Sequence, residues 1–243
     1  MTESALAAGA TLVAVAFAMS TFDRWLTKRR RHELAWAVAL TLFAAGAFCL
    51  WLGASTGWRL PVFRAFYLFG AVVNVPVLAL GTVYLLTGRR AGDRAALGVV
   101  VFAAFATGVI VSAPAHPITD AAALPQGSAV FEALPRVLAG VASAGGALVV
   151  LGGAVWSAVR QRRGRLLWAN GAIAAGTLML GASGLFNSVL GQMEAFAVTL
   201  AVGVSILYAG FLVAVTPGRR PAPRAAPAAA PSPPSLVESG PRS

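Results

Sequence analysis

The sequence predicts an all-α integral membrane protein, a seven-transmembrane-helix bundle with its N-terminus outside and its C-terminus in the cytoplasm. Three observations predict it. Of 243 residues, 58% are hydrophobic and 11% charged, against roughly 45–50% and about 25% in soluble domains. Seven apolar runs approach or exceed the about 20 residues needed to cross the hydrocarbon of a bilayer. The basic residues, finally, gather in alternate connections between those runs.

The runs fall at 5–22, 33–53, 62–86, 95–113, 136–157, 166–187 and 194–215. Helix is the state expected of each, because hydrocarbon offers no water to open backbone groups and the alternation of barrel strands is absent. Span 1 follows MTES, which holds an acid and no Lys or Arg. A secretory leader begins with basic residues, so span 1 reads as a retained helix rather than a cleaved one.

The connections sort by charge. Arg24, Lys28, Arg29, Arg30 and Arg31 lie between spans 1 and 2, and Arg89, Arg90 and Arg94 between spans 3 and 4. Arg160, Arg162, Arg163 and Arg165 follow span 5, and Arg219, Arg220, Arg224 and Arg242 follow span 7. The intervening segments hold only Arg59, Arg64 and Arg136. Basic loops stay in the cytoplasm, which sets the predicted orientation and points to a multi-pass protein of the cell membrane. The formal charge of +11 is then spent on orientation and on anionic lipid headgroups at the cytoplasmic face, and nucleic acid is not an expected partner. Trp25, Trp51 and Trp58 flank their runs as an interfacial aromatic belt would.

Two domains are expected: a seven-span domain over 1–216, and a tail over 217–243. Eight prolines among Ala, Ser and Arg leave the tail nothing with which to build a core, so it reads as disordered. The longest connection, 113–135, carries four prolines and has two readings, a free surface loop or a fold over the outer mouth of the bundle.

Polar residues inside spans usually face the bundle interior, and three stripes collect them. In span 3, Arg64, Tyr67, Gly70, Asn74, Val77, Gly81 and Tyr84 recur at helical steps, and Pro76 removes a backbone donor beside Asn74. Span 7 repeats the pattern through Glu194, Val198, Ala201, Ser205, Tyr208 and Leu212, and span 6 through Asn170, Thr177, Gly181, Gly184 and Ser188. The candidate polar pocket is therefore Arg64, Tyr67, Asn74, Pro76, Asn170, Thr177, Glu194, Ser205 and Tyr208, between spans 3, 6 and 7. Arg64 and Glu194 are expected to pair near the outer surface. The alternative is that small residues simply let helices pack closely while the polar ones bond across.

Several activities lose their usual parts. A retinal Schiff base needs a lysine in a span, and Lys28 is in a loop. His32 and His116 fall on opposite sides, so they share neither a metal nor a haem. No catalytic set, metal site or cofactor is expected. The segment RRRHELAWAVAL, residues 29–40, loosely echoes QRRGRLLWANGA, residues 161–172, aligning Trp36 with Trp168. A true repeat of spans 1–3 in spans 5–7 would resemble sugar-type uniporters in topology alone. The leading functional expectation is a membrane sensor or accessory subunit meeting a protein partner through its arginine-rich loops and tail. Second comes a small-solute transporter or ligand-binding bundle, and third an intramembrane enzyme.

Overall fold

The computed structural model describes residues 2–160, 164, 168–169, 171–180 and 193–215. Among them the fold is helical, with a single isolated bridge, Ala115 to Phe131, in place of any sheet. The elements are α1 (Thr2–Lys28), α2 (Arg31–Thr56), α3 (Leu60–Phe66), a π-helical segment (Tyr67–Val73), α4 (Asn74–Thr87), α5 (Arg89–Ser112), the single turn α6 (Gly127–Val130), α7 (Ala133–Arg160), α8 (Gly171–Leu180) and α9 (Met193–Val215). Four helical stretches are long and apolar enough to cross a bilayer: Arg31–Thr56, Leu60–Thr87, Arg89–Ser112 and Ala133–Ser157. They mark the chain as a helical membrane protein.

Helices α1, α2, α5 and α7 run two to six residues past their predicted apolar runs at one or both ends, where charged residues such as Arg31 and Arg89 continue the helix. Of the expected span 166–187, residues 168–169 and 171–180 are described, and the tail over 217–243 lies outside the described residues. Two turns are short enough to force special backbone. Gly88 alone separates α4 from α5, at φ 80°, a left-handed value that glycine adopts without a Cβ clash. Arg29, at φ 52°, makes the α1–α2 turn and stacks its guanidinium 4.9 Å from the Trp25 ring centroid.

The stretch from α3 through α4 is the axis of the bundle. No residue from Val62 to Tyr84 is exposed, because α2, α5 and α7 surround it. Small residues make that enclosure possible. A Cβ on Gly46 would come within 3.0 Å of the backbone of Gly70, and one on Gly146 within 2.9 Å of the Val75 carbonyl oxygen. Gly81 is the seat for the Trp36 ring. The helices outside this axis turn their larger apolar side chains outward. In α1, Leu12, Val15, Met19, Phe22 and Leu26 are exposed, while Ala7, Ala10, Ala14, Phe17 and Thr21 are buried. Both sets step by three and four residues, one stripe for each face.

The end of the bundle that carries residues 113–132 is closed by that connection. Trp58 donates its amide to the Ala121 carbonyl at 2.8 Å, and His116 donates to Val130 at 3.0 Å. Leu124, Val130 and Phe131 are buried, and Phe131 stacks on Phe63 with centroids 5.6 Å apart. Of the two readings of this connection, the fold over the mouth is the one found. Trp58 departs from the belt expected of it. It is 2% exposed, lying against Gly53 beneath the connection.

The opposite, basic end is tied by ion pairs. Arg24 meets Glu33 at 3.0 Å, with the Glu33 side chain 1% exposed, and Arg24 also lies over the Phe211 ring. Asp93 accepts from Arg31 and from the Tyr84 hydroxyl, and Arg89 stands 3.8 Å away. Trp36 is packed between Gly81 and Phe211, whereas Trp168 is 80% exposed. The two tryptophans that carried the internal echo therefore occupy unlike environments.

Candidate functional site

A cavity of about 600 Å³ runs through the bundle beside the π-helical segment. Its walls come from α2, the axial helix, α7, α8 and α9, and Pro125, Gly127 and Ser128 of the closing connection form its roof. The sequence explains the π segment. Pro76 has no N–H to return to the carbonyls one turn back, so the ladder loosens where i→i−5 bonding gives way to i→i−4. One carbonyl released there, that of Ala71, accepts a hydrogen bond from Ser143 Oγ of α7 at 2.8 Å. A hydroxyl on a neighbouring helix thus replaces the donor that proline lacks.

Asn74 follows directly. It is 5% exposed and lines the cavity, and its Oδ1 is buried without a hydrogen-bond partner among the described residues. An orphan amide oxygen in an apolar interior costs roughly 1–3 kcal/mol. Glu33 Oε2, at the basic end of the bundle, is a second buried acceptor without a donor among the described residues. Most of the cavity wall is apolar, with Phe43, Phe66, Ala139 and Leu200 among its members. Polar groups sit at two levels: Asn74, Ser143 and Thr177 in the middle, and Tyr67, Ser128 and Arg136 near the roof. Gly127 fits only because it lacks a side chain, since a Cβ there would stand 2.9 Å from the Tyr67 ring.

The predicted site residues divide accordingly. Tyr67, Asn74 and Thr177 line the cavity together. Thr177 donates its hydroxyl to the Ile173 carbonyl at 2.8 Å within its own helix. Pro76 shapes the backbone beside the cavity without lining it. Arg64 turns away from the cavity, and its terminal nitrogens donate to the carbonyls of Val111 and Ala113 at 2.7 and 2.6 Å. These are carbonyls at the C-terminus of α5, where a cation also meets the negative end of the helix dipole. The side chain of Glu194 and the whole of Asn170 lie outside the described residues, so the expected pairing of Arg64 with Glu194 lies there too. Ser205 is exposed and bonds back to the Ala201 carbonyl at 2.7 Å. Tyr208 packs on Phe17 at 4.6 Å. In α9 the stripe through Val198, Ser205 and Leu212 faces outward, and Val204 and Leu207 line the cavity instead.

Sequence reading missed Ser143 and Arg136 as site members. Ser143 carried a usable signal, a hydroxyl in a stretch, 137–155, otherwise made of Ala, Gly, Val and Leu. Arg136 carried another, as one of three basic residues on the sparsely charged side. Glu33 was also missed, because its position at the edge of a run reads as solvated. Among the described residues no three His, Cys, Asp or Glu side chains come together as a metal site would require.

The fold and the cavity together define a class, a helical membrane bundle with a partly open, mostly apolar chamber. No protein-family model, curated protein or solved structure matches the chain.

Proposed function

We propose that the chain is a seven-span protein of the cell membrane, amino terminus outside, whose central chamber binds a small, largely apolar molecule for recognition or passage. The observation that carries this is the cavity of about 600 Å³ itself, mostly apolar in its walls and with Asn74, Ser143 and Thr177 among its few polar members. Ligand pockets are of this size and pattern, apolar walls with a few convergent polar groups. The roof made by 113–132 then acts as the external cover. The basic end faces anionic headgroups, which the charge of the arginine-rich turns favours.

A sensor or accessory subunit working through its loops and tail receives less support. In the described turns, Arg24, Arg31 and Arg89 are engaged by Glu33 and Asp93 of the bundle itself. The third basic loop and the tail lie outside the described residues.

The test compares wild type with Gly140→Phe. Gly140 lines the cavity, and nothing lies within 4 Å of a Cβ added there, so a phenyl ring starting from that wall takes up part of the chamber. Both proteins are purified in mild detergent, and retained small molecules are extracted and quantified by mass spectrometry. Wild type is expected to retain a molecule near one equivalent that the variant lacks. Identical extracts, with equal thermal stability, would count against a ligand chamber.

A further inference from the structure

We infer that the basic end of the bundle holds a discrete site for the phosphate of an anionic lipid, in a second cavity between the starts of α2 and α5. The inference leaves the central chamber aside and rests on the reading that this end lies at headgroup level.

The cavity is about 250 Å³ and is lined by Arg29, Arg31, His32, Tyr84 and Arg89. Three guanidiniums, an imidazole and a phenol can all donate hydrogen bonds, and no carboxylate stands in the wall among the described residues. The fold gathers these groups from four elements. Arg29 comes from the α1–α2 turn, Arg31 and His32 from the first turn of α2, Tyr84 from the last turn of α4, and Arg89 from the first residue of α5. A cation at a helix start opposes the dipole, so helix stability does not account for Arg31 or Arg89. Arg29 has φ 52°, the one positive value outside glycine among the described residues, which an L side chain adopts under strain. That conformation sets its guanidinium both in the cavity wall and 4.9 Å from the Trp25 ring centroid.

Asp93 is not in the wall but ties it together. Its Oδ1 accepts from Arg31 and from the Tyr84 hydroxyl, and its Oδ2 is 3.8 Å from Arg89 Nε. One carboxylate is thereby shared by two guanidiniums that carry five N–H donors each. It fixes both side chains and uses only some of their donors. The other acids are accounted for by position. Of the eight in the chain, Glu33 meets Arg24 at 3.0 Å, Asp23 does not line the cavity, and Asp120 and Glu132 belong to the connection at the opposite end. Glu3 and Glu194 stand at the starts of α1 and α9, helices whose other ends bring Lys28 and Phe211 to the basic end. Glu238 belongs to the tail, outside the described residues, and is tested below.

A carboxylate offers two oxygens in one plane, as Asp93 already does. A phosphate offers its oxygens tetrahedrally, which suits planar guanidiniums approaching from separate turns. The lipid source follows from the side chains beside the cavity. Leu85 and Leu86, directly after Tyr84, and Leu26, three residues before Arg29, are exposed. Acyl chains can lie along them with the phosphate at the level of the arginines.

The experiment uses the full chain in phosphatidylcholine nanodiscs, which present both faces. Thermal unfolding is followed at constant ionic strength as phosphatidylglycerol, diacylglycerol hemisuccinate, which is anionic without a phosphate, or inorganic phosphate is added. A ligand that binds only the folded state raises its stability in proportion to ln(1 + [L]/Kd). Phosphatidylglycerol is expected to bind about tenfold more tightly than the hemisuccinate, roughly 1.4 kcal/mol, and inorganic phosphate more weakly than the lipid. Two variants then remove equal charge from the same turns. Arg29→Gln, Arg31→Gln and Arg89→Gln together should abolish the preference for phosphatidylglycerol. Lys28→Gln, Arg30→Gln and Arg90→Gln together should keep it, since these residues are exposed and outside the cavity wall. Arg31→Lys with Arg89→Lys, which keeps the charge and the fold, should weaken the preference because the planar forks are gone. Equal loss in both triple variants, or equal response to the two lipids, would reduce the site to diffuse surface charge and overturn it. A preference that appears only after Glu238→Gln would assign the cavity to the tail carboxylate instead. If inorganic phosphate stabilises and neither lipid does, the lipid source is wrong and the headgroup-level reading fails with it. None of these outcomes depends on Gly140→Phe, so this site and the chamber are tested separately.

Discussion

The axial stretch Leu60–Thr87 and α5, Arg89–Ser112, are neighbours in sequence, separated by one glycine, yet they inhabit opposite environments. Their most apolar windows have mean hydropathies of 1.9 and 2.3, with 33% and 11% of the residues buried. The more apolar helix is the outer one. In α5, Leu97, Val100, Val101 and Phe105 are each more than half exposed, as side chains facing lipid should be. In a bilayer apolarity does not distinguish inside from outside, because lipid tails are as apolar as leucine. What distinguishes them is the size and polarity of the interrupting residues. In the axial stretch Gly70 and Gly81 allow close approach, Pro76 breaks the backbone ladder, Thr82 packs against Gly153, and Asn74 lines the cavity.

Glycine gives the largest contrast. Gly146 faces the Val75 backbone, while Gly98 and Gly108 of α5 have open space where a Cβ would go. Gly146→Leu should cost more than about 3 kcal/mol, because backbone does not yield as a flexible side chain does. Gly98→Leu should leave stability within about 0.5 kcal/mol. Thermal unfolding in one detergent measures both, and equal losses would erase the distinction between axis and periphery.

Next in size is the clip that holds the outer helix to the axis. Arg64→Met removes two charged hydrogen bonds from the C-terminus of α5, for an expected loss of about 2–3 kcal/mol. Hydrogen exchange should rise in the last turn of α5 and not in its first. A uniform rise along the chain would mean that Arg64 acts on global stability rather than as a clip.

Ser143→Ala tests the π segment, and about 1 kcal/mol is expected from leaving the Ala71 carbonyl without its donor. Amides near the segment should exchange faster. An unchanged exchange pattern would show that the segment holds without help from α7. The smallest effect belongs to Tyr84→Phe at the basic end, where Asp93 is 41% exposed and keeps water as an alternative partner. A loss below about 1 kcal/mol is expected; a loss as large as that of Arg64→Met would reverse the ranking of the two ends.

Much of this organisation was legible in the sequence. Apolar runs located the helices because a bilayer dictates their length, and Asn74 with Pro76 pointed to the middle of span 3, where the π segment and the cavity lie. Tyr67 and Thr177, collected on stripes by helical periodicity, line the cavity. Ser205 was not, because a hydroxyl can satisfy itself on the i−4 carbonyl and then need not face protein. Arg64 was expected to meet Glu194, whose side chain lies outside the described residues; among those described it meets the carbonyls of Val111 and Ala113. The carbonyls at the end of α5 are partners that no residue letter reveals. The one-sided stripe in span 3 was too narrow a picture for the same reason. Val73 and Asn74, off and on that stripe, are 8% and 5% exposed, since the number of surrounding helices is a tertiary property.

The enclosure of the axial helix is most directly tested without any mutation. A lipid-soluble carbene precursor is photolysed with the native protein in bilayers, and modified residues are mapped by mass spectrometry. The expected result is dense modification at Leu97, Val100, Val101 and Phe105, and none from residue 63 to residue 83. Comparable modification of both helices would contradict the enclosure and, with it, the chamber that depends on it.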